Sequence, residues 1–418
     1  MTVEIRPIGP DEVDPWIRSL HVPFLAKADN DGVAHWVDHL EIGRTWVAAD
    51  AGRFVGTSCV FTRDVTLPGV PGGLAPTVPL TAVSGVGVHT THRRRGILSR
   101  MMGTMMSDAI DRGEPIAGLL ASEAAIYGQF GFGWATSTVE LSLPRRTTHL
   151  THDAPALDLV LCGAKEAESR LPKLFDRFRL QRSGQVDRNP AYWKNVFADP
   201  KSMRPTGTSE RFFAVCDDGY VAYRPSNHWD SGNPNVLHLD ELFGVSPDAE
   251  AALWQYLLSV DLVDTIVAGR PVDEPIRWRL ADPRSLAVTG LKDMLWIRVL
   301  DVPTALTARR YRTEGRLVLE VEPAPTSVDK HGEARPDPAA GRWVLEVGPD
   351  GSSCRSARAG ERQELRLGVS ELGAALLGGQ DLRSRASAAR VAELVPGALE
   401  RADAIFATTP APFSSTGF

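Results

Sequence analysis

The chain has 418 residues, 43% of them hydrophobic and 23% charged, with a formal net charge of −6. That length predicts two or three domains, and the acidic balance argues against general attraction to nucleic acid or an anionic membrane surface. Four cysteines, Cys59, Cys162, Cys216 and Cys354, are too few and too scattered for a disulfide scaffold, and no pair has metal or redox spacing.

From the N-terminus, Glu4–Pro7 reads as a strand, and Gly9-Pro10-Asp11-Glu12 opens a helix through Trp16, Ile17 and Leu20. A second helix spans about 31–40. It carries His35 and His39 at i and i+4, but no nearby carboxylate completes a ligand set, so no metal site is expected. Phe24 and Trp36 are either core residues or the wall of a substrate pocket. Strands at 45–49 and 53–62 flank the turn Asp50-Ala51-Gly52. No apolar run has membrane-spanning length, and the N-terminus lacks a leader pattern, which together predict a cytoplasmic protein without membrane contact.

The centre of the chain is 80–112. Leu80-Thr81-Ala82-Val83-Ser84-Gly85-Val86-Gly87-Val88 alternates like a strand. From Ile97 the apolar positions 97, 98, 101, 102, 105, 109 and 110 have helical spacing. Between them stands His89-Thr90-Thr91-His92-Arg93-Arg94-Arg95-Gly96. A helix start offers free N–H groups and a positive dipole end, the arginines add fixed charge, and glycine permits close backbone approach. The stretch reads as strand, phosphate cradle, helix. A solvated basic turn is the plainer alternative for the arginine run alone. The Walker and Gly-x-Gly-x-x-Gly phosphate patterns are both absent.

An apolar run at 115–121 reads as a strand parallel to the central one. Ser122-Glu123, a short helix at 124–130 and a strand at 135–143 complete a first α/β unit, with a boundary at residue 145. Next come a strand at 159–162, a helix at 164–180, a hairpin around Asp217-Asp218-Gly219, a strand at 236–243, a helix capped by Ser246-Pro247 and a strand at 265–268. This order repeats the first unit at low resolution. In the second copy the loop Gly244-Val245-Ser246-Pro247-Asp248-Ala249-Glu250 has no arginine and places acids in the first helical turn, so it should repel a phosphate. A third region begins near residue 291. Its expected elements are strands at 295–300, 317–321, 343–347 and 364–367, and helices at 370–377, 386–394 and 398–406.

Arg93-x-x-Gly96-x-Leu98 resembles the acyl-CoA loop of the GCN5-related N-acetyltransferases (GNAT). The run from Val86 to Leu98, the run Ala121-Ser122-Glu123-Ala124-Ala125-Ile126-Tyr127-Gly128-Gln129-Phe130-Gly131-Phe132-Gly133, and a terminal phenylalanine together resemble the Eis (enhanced intracellular survival) family. The resemblance implies an α/β (α+β) architecture: a catalytic GNAT domain at 1–145, a degenerate GNAT-like domain without a CoA site at 146–290, and a sterol-carrier-protein-like domain at 291–418, assembled as a homohexamer. It implies acetyl-CoA as cosubstrate, held by matches at Val86, Gly87, Val88, Arg94, Arg95, Gly96, Ile97, Leu98, Ser99, Ser122 and Glu123. Tyr127 is the matched general acid and the Phe418 carboxylate the matched general base. A phenol with pKa near ~10 is protonated at neutral pH and can donate to a leaving thiolate. An amine acceptor, aminoglycoside-like or lysine-like, is the expected partner. A non-catalytic CoA-fold scaffold is the competing class. Asp29 and Asp31 are the nearby acids, whereas Ala26 and Gly417 are uncharged where aminoglycoside-active members carry acids.

Overall fold

The computed structural model describes residues 3–70, 72–226, 234–329 and 331–418. They fall into two compact units. The first comprises everything up to Thr136, the four residues Ser183–Val186, and Asp293–Phe418; the second comprises Ser137–Arg182 and Asp187–Lys292.

In the first unit, β1 (Glu4–Pro7), β2 (Thr45–Asp50), β3 (Arg53–Thr66), β4 (Thr77–Val88) and β5 (Ile116–Leu120) lie side by side in that order. The strand Leu295–Val299 and the short β6 (Gly133–Trp134) complete a seven-stranded sheet. Neighbours are antiparallel except β4 and β5, which run parallel through Leu80↔Ile116 to Val83↔Leu119. One face is covered by α1 (Val13–His21) and α2 (Asn30–Val37), the other by α3 (Ile97–Asp111). α1 turns Trp16, Ile17 and Leu20 into the core, and the Trp16 indole donates to the Trp46 carbonyl at 2.8 Å. On the opposite face Met102, Met105, Met106 and Ala109 of α3 pack on Val60, Val83 and Ala117. Their helical spacing gives α3 a single apolar stripe.

The C-terminal region adds a second, five-stranded sheet to this unit. Its Leu317, Leu319, Leu372 and Phe406 join the hydrophobic cluster that contains Trp16, Phe61 and Leu80. One buried ionic group is also built here. Arg44 forks onto Glu114 with two 2.8 Å bonds and donates to Asp108 at 2.7 Å, while the Thr81 hydroxyl donates to Glu114.

Two strands are paired differently from the linear expectation. Ser137–Pro144, expected to close the first domain, pairs antiparallel with Thr265–Pro271 in the seven-stranded sheet of the second unit. Leu295–Val299, expected to open the third region, sits between β5 and β6 in the first sheet. Each was legible as a strand; the choice of partner depends on distant residues. A third difference is local. The helix expected at 386–394 is a helix at Leu382–Ser387 capped by Asp381, followed by the strand Val391–Glu393. The Asp381 carboxylate accepts the Ser384 N–H and starts the helix early, and Leu394 N–H bonds back to Glu364.

Candidate active site

The site begins with a defect in β4. Opposite the single residue Ser58, β4 has two residues, Gly85 and Val86, between the pairs Ser84↔Cys59 and Gly87↔Thr57. Gly85 takes φ +59°, and a Cβ there would approach the Trp16 ring to 3.0 Å and Cys59 to 3.2 Å. A bulge of this kind bends its strand and raises local twist. Pairing of β4 with β5 stops at Val83↔Leu119, just before the bulge. Beyond it the two strands part, and the edge of β4 through Val86–Val88 faces a cleft.

One lobe of that cleft, about 630 Å³, runs from Val86–Val88 to the start of α3. Arg93, Arg94, Gly96, Ile97, Leu98 and Ser99 line it, opposite Ser122 and Glu123. Gly96 is the N-cap of the 15-residue α3, with φ +73° and no side-chain cap. Its missing side chain allows the left-handed turn and leaves the first N–H groups without a competing acceptor. Arg94 is also left-handed, with φ +60°. Such a conformation in a non-glycine residue costs roughly 1 kcal/mol or more and clusters at ligand-gripping sites. Arg93 and Arg94 line the cleft, but Arg95 does not. It donates to Asp50 at 3.2 Å, alongside His92, at the β2–β3 turn.

The second lobe, about 380 Å³, shares Phe24, Val86, Ser122 and Tyr127 with the first. Leu20, Trp36 and Leu119 form apolar walls, and Tyr127 and Phe418 both reach it. Trp36, at the inner face of α2, stacks on Phe61 with ring centroids 6.1 Å apart. Tyr127 ends the short helix α4 (Ala124–Tyr127) and is buried, with its ring edge-on to Phe132 at 6.4 Å. Burial raises the phenol above its ordinary pKa; a hydrogen bond with Ser122 opposes this and the Glu123 charge reinforces it. The group therefore carries its proton at neutral pH.

Phe418 arrives by an ordered tail. Phe413 N–H bonds to the Ser183 carbonyl at 2.9 Å. The Gln185 amide donates to the Phe413 carbonyl and accepts from the Ser415 hydroxyl, both at 2.8 Å, and the Thr416 hydroxyl donates to the Val186 carbonyl at 2.8 Å. Ser183–Val186 is itself laced to the end of β3, where Thr66 N–H bonds to Gln185 and Gly184 N–H to Thr66. Thus a four-residue segment far from both partners in sequence fixes the last residues of the chain. Gln185 and His21 are site elements that local pattern did not single out. A lone amide between a predicted helix and a predicted hairpin carries no signal of its own.

The second unit repeats the strand–loop–helix but fills the space. Val236–Gly244 runs parallel to Thr265–Pro271 only over Val236–Leu239 and Thr265–Ala268. In the gap beyond, buried Arg270 donates to the Leu242 carbonyl and Glu274 at 2.6 Å and to Glu250 at 2.9 Å. The helix Pro247–Ser259 is capped by the Ser246 hydroxyl, which accepts the Ala249 N–H. Proline and the cap occupy the positions at which the first unit leaves donors free.

No group of three or more His, Cys, Asp or Glu side chains suited to a metal occurs among the described residues, and none of their helices is long and apolar enough to cross a membrane.

Comparison with known proteins agrees with this geometry. Two profiles described as an acetyltransferase (GNAT) domain match residues 4–135 and 184–299, and a sterol carrier protein domain profile matches 302–415. An uncharacterized N-acetyltransferase of Streptomyces avermitilis is 36% identical, covering 98% of this chain and 97% of its own. The N-acetyltransferase Eis of Mycobacterium tuberculosis is 31% identical, over 96% of this chain and 91% of that protein. The crystal structure of Eis1 from Mycobacterium abscessus is 30% identical, covers all of both chains and superposes with a TM-score of 0.85. The chain therefore belongs to the Eis family of GNAT acetyltransferases, with two GNAT domains and a sterol-carrier-type domain, and is an N-acetyltransferase.

Proposed function

We propose that the protein moves the acetyl group of acetyl-CoA to a primary amine, with Tyr127 as general acid and the α-carboxylate of Phe418 as general base. The observation that carries this reading is that both residues line one 380 Å³ cleft, at the point where β4 and β5 part.

The residues present fit the cosubstrate. The free edge of β4 at Val86–Val88 offers backbone groups to an amide-bearing arm. The uncapped start of α3 offers the N–H groups of Ile97, Leu98 and Ser99 to a diphosphate, with Arg94 and Arg93 supplying charge. Arg95 acts from behind, holding the loop to Asp50. Ser122 and Glu123 border the turn of the arm, and Ser122 orients the Tyr127 phenol.

Bound acetyl-CoA supplies an acetyl group activated by a thiol leaving group. The Phe418 carboxylate accepts the proton that the attacking nitrogen must lose. Tyr127 delivers its hydroxyl proton to the departing sulfur, and burial in the apolar lobe keeps that proton in place until then. Positioned acid–base groups typically contribute about 10²–10⁴-fold each. The acceptor is an amine of aminoglycoside or lysine type. Homohexameric assembly and a cytoplasmic location belong to the same proposal and rest on the family resemblance and the sequence.

Thiol release from acetyl-CoA tests the chemistry. Tyr127→Phe and removal of Phe418 should each lower kcat at least a hundredfold while calorimetric acetyl-CoA affinity stays within twofold. Full turnover by either variant refutes the role assigned to that group.

A further inference from the structure

Behind Tyr127 stands a buried cation that the transfer chemistry leaves unused. Arg298, on the strand Leu295–Val299, donates to the Phe130 carbonyl at 2.6 Å and to the Asp337 carboxylate at 3.3 Å, while its Nε makes no hydrogen bond. Asp337 is fixed in turn, because its carboxylate accepts the Ala324 N–H at 2.9 Å and the Ala339 N–H at 3.2 Å. A buried ion pair is weak support for stability, since apolar residues of similar volume often serve as well. The distinctive thing this pair does is grip one backbone carbonyl.

That carbonyl closes the turn that starts at Tyr127. The 3-10 helix Gly128–Phe130 follows α4 directly and ends at Gly131, which takes φ +82°. The Phe132 N–H returns to the Tyr127 carbonyl at 3.3 Å. Gln129 lines the coenzyme lobe beside Tyr127, and its carbonyl accepts the Thr326 N–H at 2.8 Å. The stretch that supplies Thr326 and Asp337 also lies on α3. Arg335 donates to the Ser107 hydroxyl at 2.9 Å, and a Cβ at Gly103 would meet the Val328 carbonyl at 2.6 Å. One part of the sterol-carrier-type domain thus touches both the helix whose start cradles phosphate and the turn that carries the phenol.

From this we infer that Arg298 is a positioning residue for the acid step: backed by Asp337, its guanidinium holds the Phe130 carbonyl and thereby sets the Tyr127 hydroxyl at the sulfur. The inference rests on the acetyl-transfer reading above. In that step the amine nitrogen forms the C–N bond and yields a proton to the Phe418 carboxylate. The C–S bond breaks, and sulfur keeps the bonding pair and takes the Tyr127 proton. Solvent then carries the carboxylate's proton to the phenolate. Arg298 exchanges no proton and touches no reacting atom. Its effect is geometric, and a displacement of about 1 Å at a reacting group can cost about a hundredfold in rate.

The test is a double-mutant cycle between Arg298→Met and Tyr127→Phe, read as thiol release from acetyl-CoA with kanamycin and with lysine methyl ester. Arg298→Met should lower kcat about ten- to a hundredfold while calorimetric acetyl-CoA affinity stays within twofold. Arg298→Lys, which keeps the charge beside Asp337 and one donor, should recover part of the loss. In the Tyr127→Phe background, where there is no proton to place, Arg298→Met should cost less than twofold. An equal loss in both backgrounds means general damage to the fold and overturns the inference while acetyl transfer stands. Wild-type kcat in Arg298→Met does the same. If Arg298→Met does not fold, Arg298→Lys carries the same cycle with the same criteria. Full rate in Tyr127→Phe alone removes the acid role and the inference with it. Tight acetyl-CoA binding with no thiol release on either amine overturns the acetyl-transfer reading as well.

Discussion

Replacing Gln185 by alanine should uncouple the end of the chain from the cleft. Its fully buried side chain makes two of the four hydrogen bonds described between Ser183–Val186 and the tail: one to the Phe413 carbonyl and one from Ser415, each 2.8 Å. At about 0.5–1.5 kcal/mol net per bond, their loss weakens tail docking by about 1–3 kcal/mol. That is roughly a 5- to 150-fold shift toward the undocked tail at about 1.4 kcal/mol per factor of ten. Because neither residue touches the α3 phosphate cradle, kcat should fall as the docked fraction falls while acetyl-CoA affinity holds. Carboxypeptidase should release Phe418 faster from the variant by a similar factor. Gln185→Glu, which sets a carboxylate oxygen against the Phe413 carbonyl and buries a charge, should loosen the tail at least as much. A freely digestible tail with wild-type kcat would refute the reasoning, since the terminal carboxylate would then be dispensable. Loss of acetyl-CoA affinity in step with rate would show general damage instead.

Arg44→Ala strands the buried Glu114 carboxylate and should destabilise the fold by about 3–5 kcal/mol, read as a lower urea midpoint; an unchanged midpoint would mean that water replaces the guanidinium. Stability should also respond to His35 on α2. Burial, reinforced by His39 and His21, pushes its imidazole down to about 4, against about 6.5 for a free imidazole. The unfolded chain therefore binds more protons than the folded one between those values. His35 favours the fold fully above about pH 6.5, and that contribution fades as pH drops toward 4. The fall in Tm over this window should shrink in His35→Gln; an identical fall in both proteins rules the group out.

The phosphate cradle was readable because its parts are contiguous: a strand pattern, a glycine and a helical stripe within about thirty residues, as the lining of the cleft by Val86–Ser99 reflects. Three adjacent arginines look equivalent on paper. They are sorted by one left-handed residue, Arg94, which sends Arg95 to Asp50, and backbone sign is not written in composition. The tail anchor at Gln185 and the Arg44–Glu114 pair join residues 230 and 70 positions apart, so no window of sequence contains both partners. The helix expected at 386–394 failed for the opposite reason. Val391 is buried as a helix stripe would require, but as a residue of an edge strand beside Leu367.

The exchange of Ser137–Pro144 and Leu295–Val299 between sheets has a consequence for synthesis. When the ribosome has finished the first GNAT domain by linear count, β5 still lacks its neighbour, which is about 175 residues away. The nascent chain must carry an open hydrogen-bonding edge through translation of most of the next domain. Such an edge is a template for wrong pairing. Truncations near residue 145 would keep that edge exposed for good, so they should precipitate where the intact polypeptide does not.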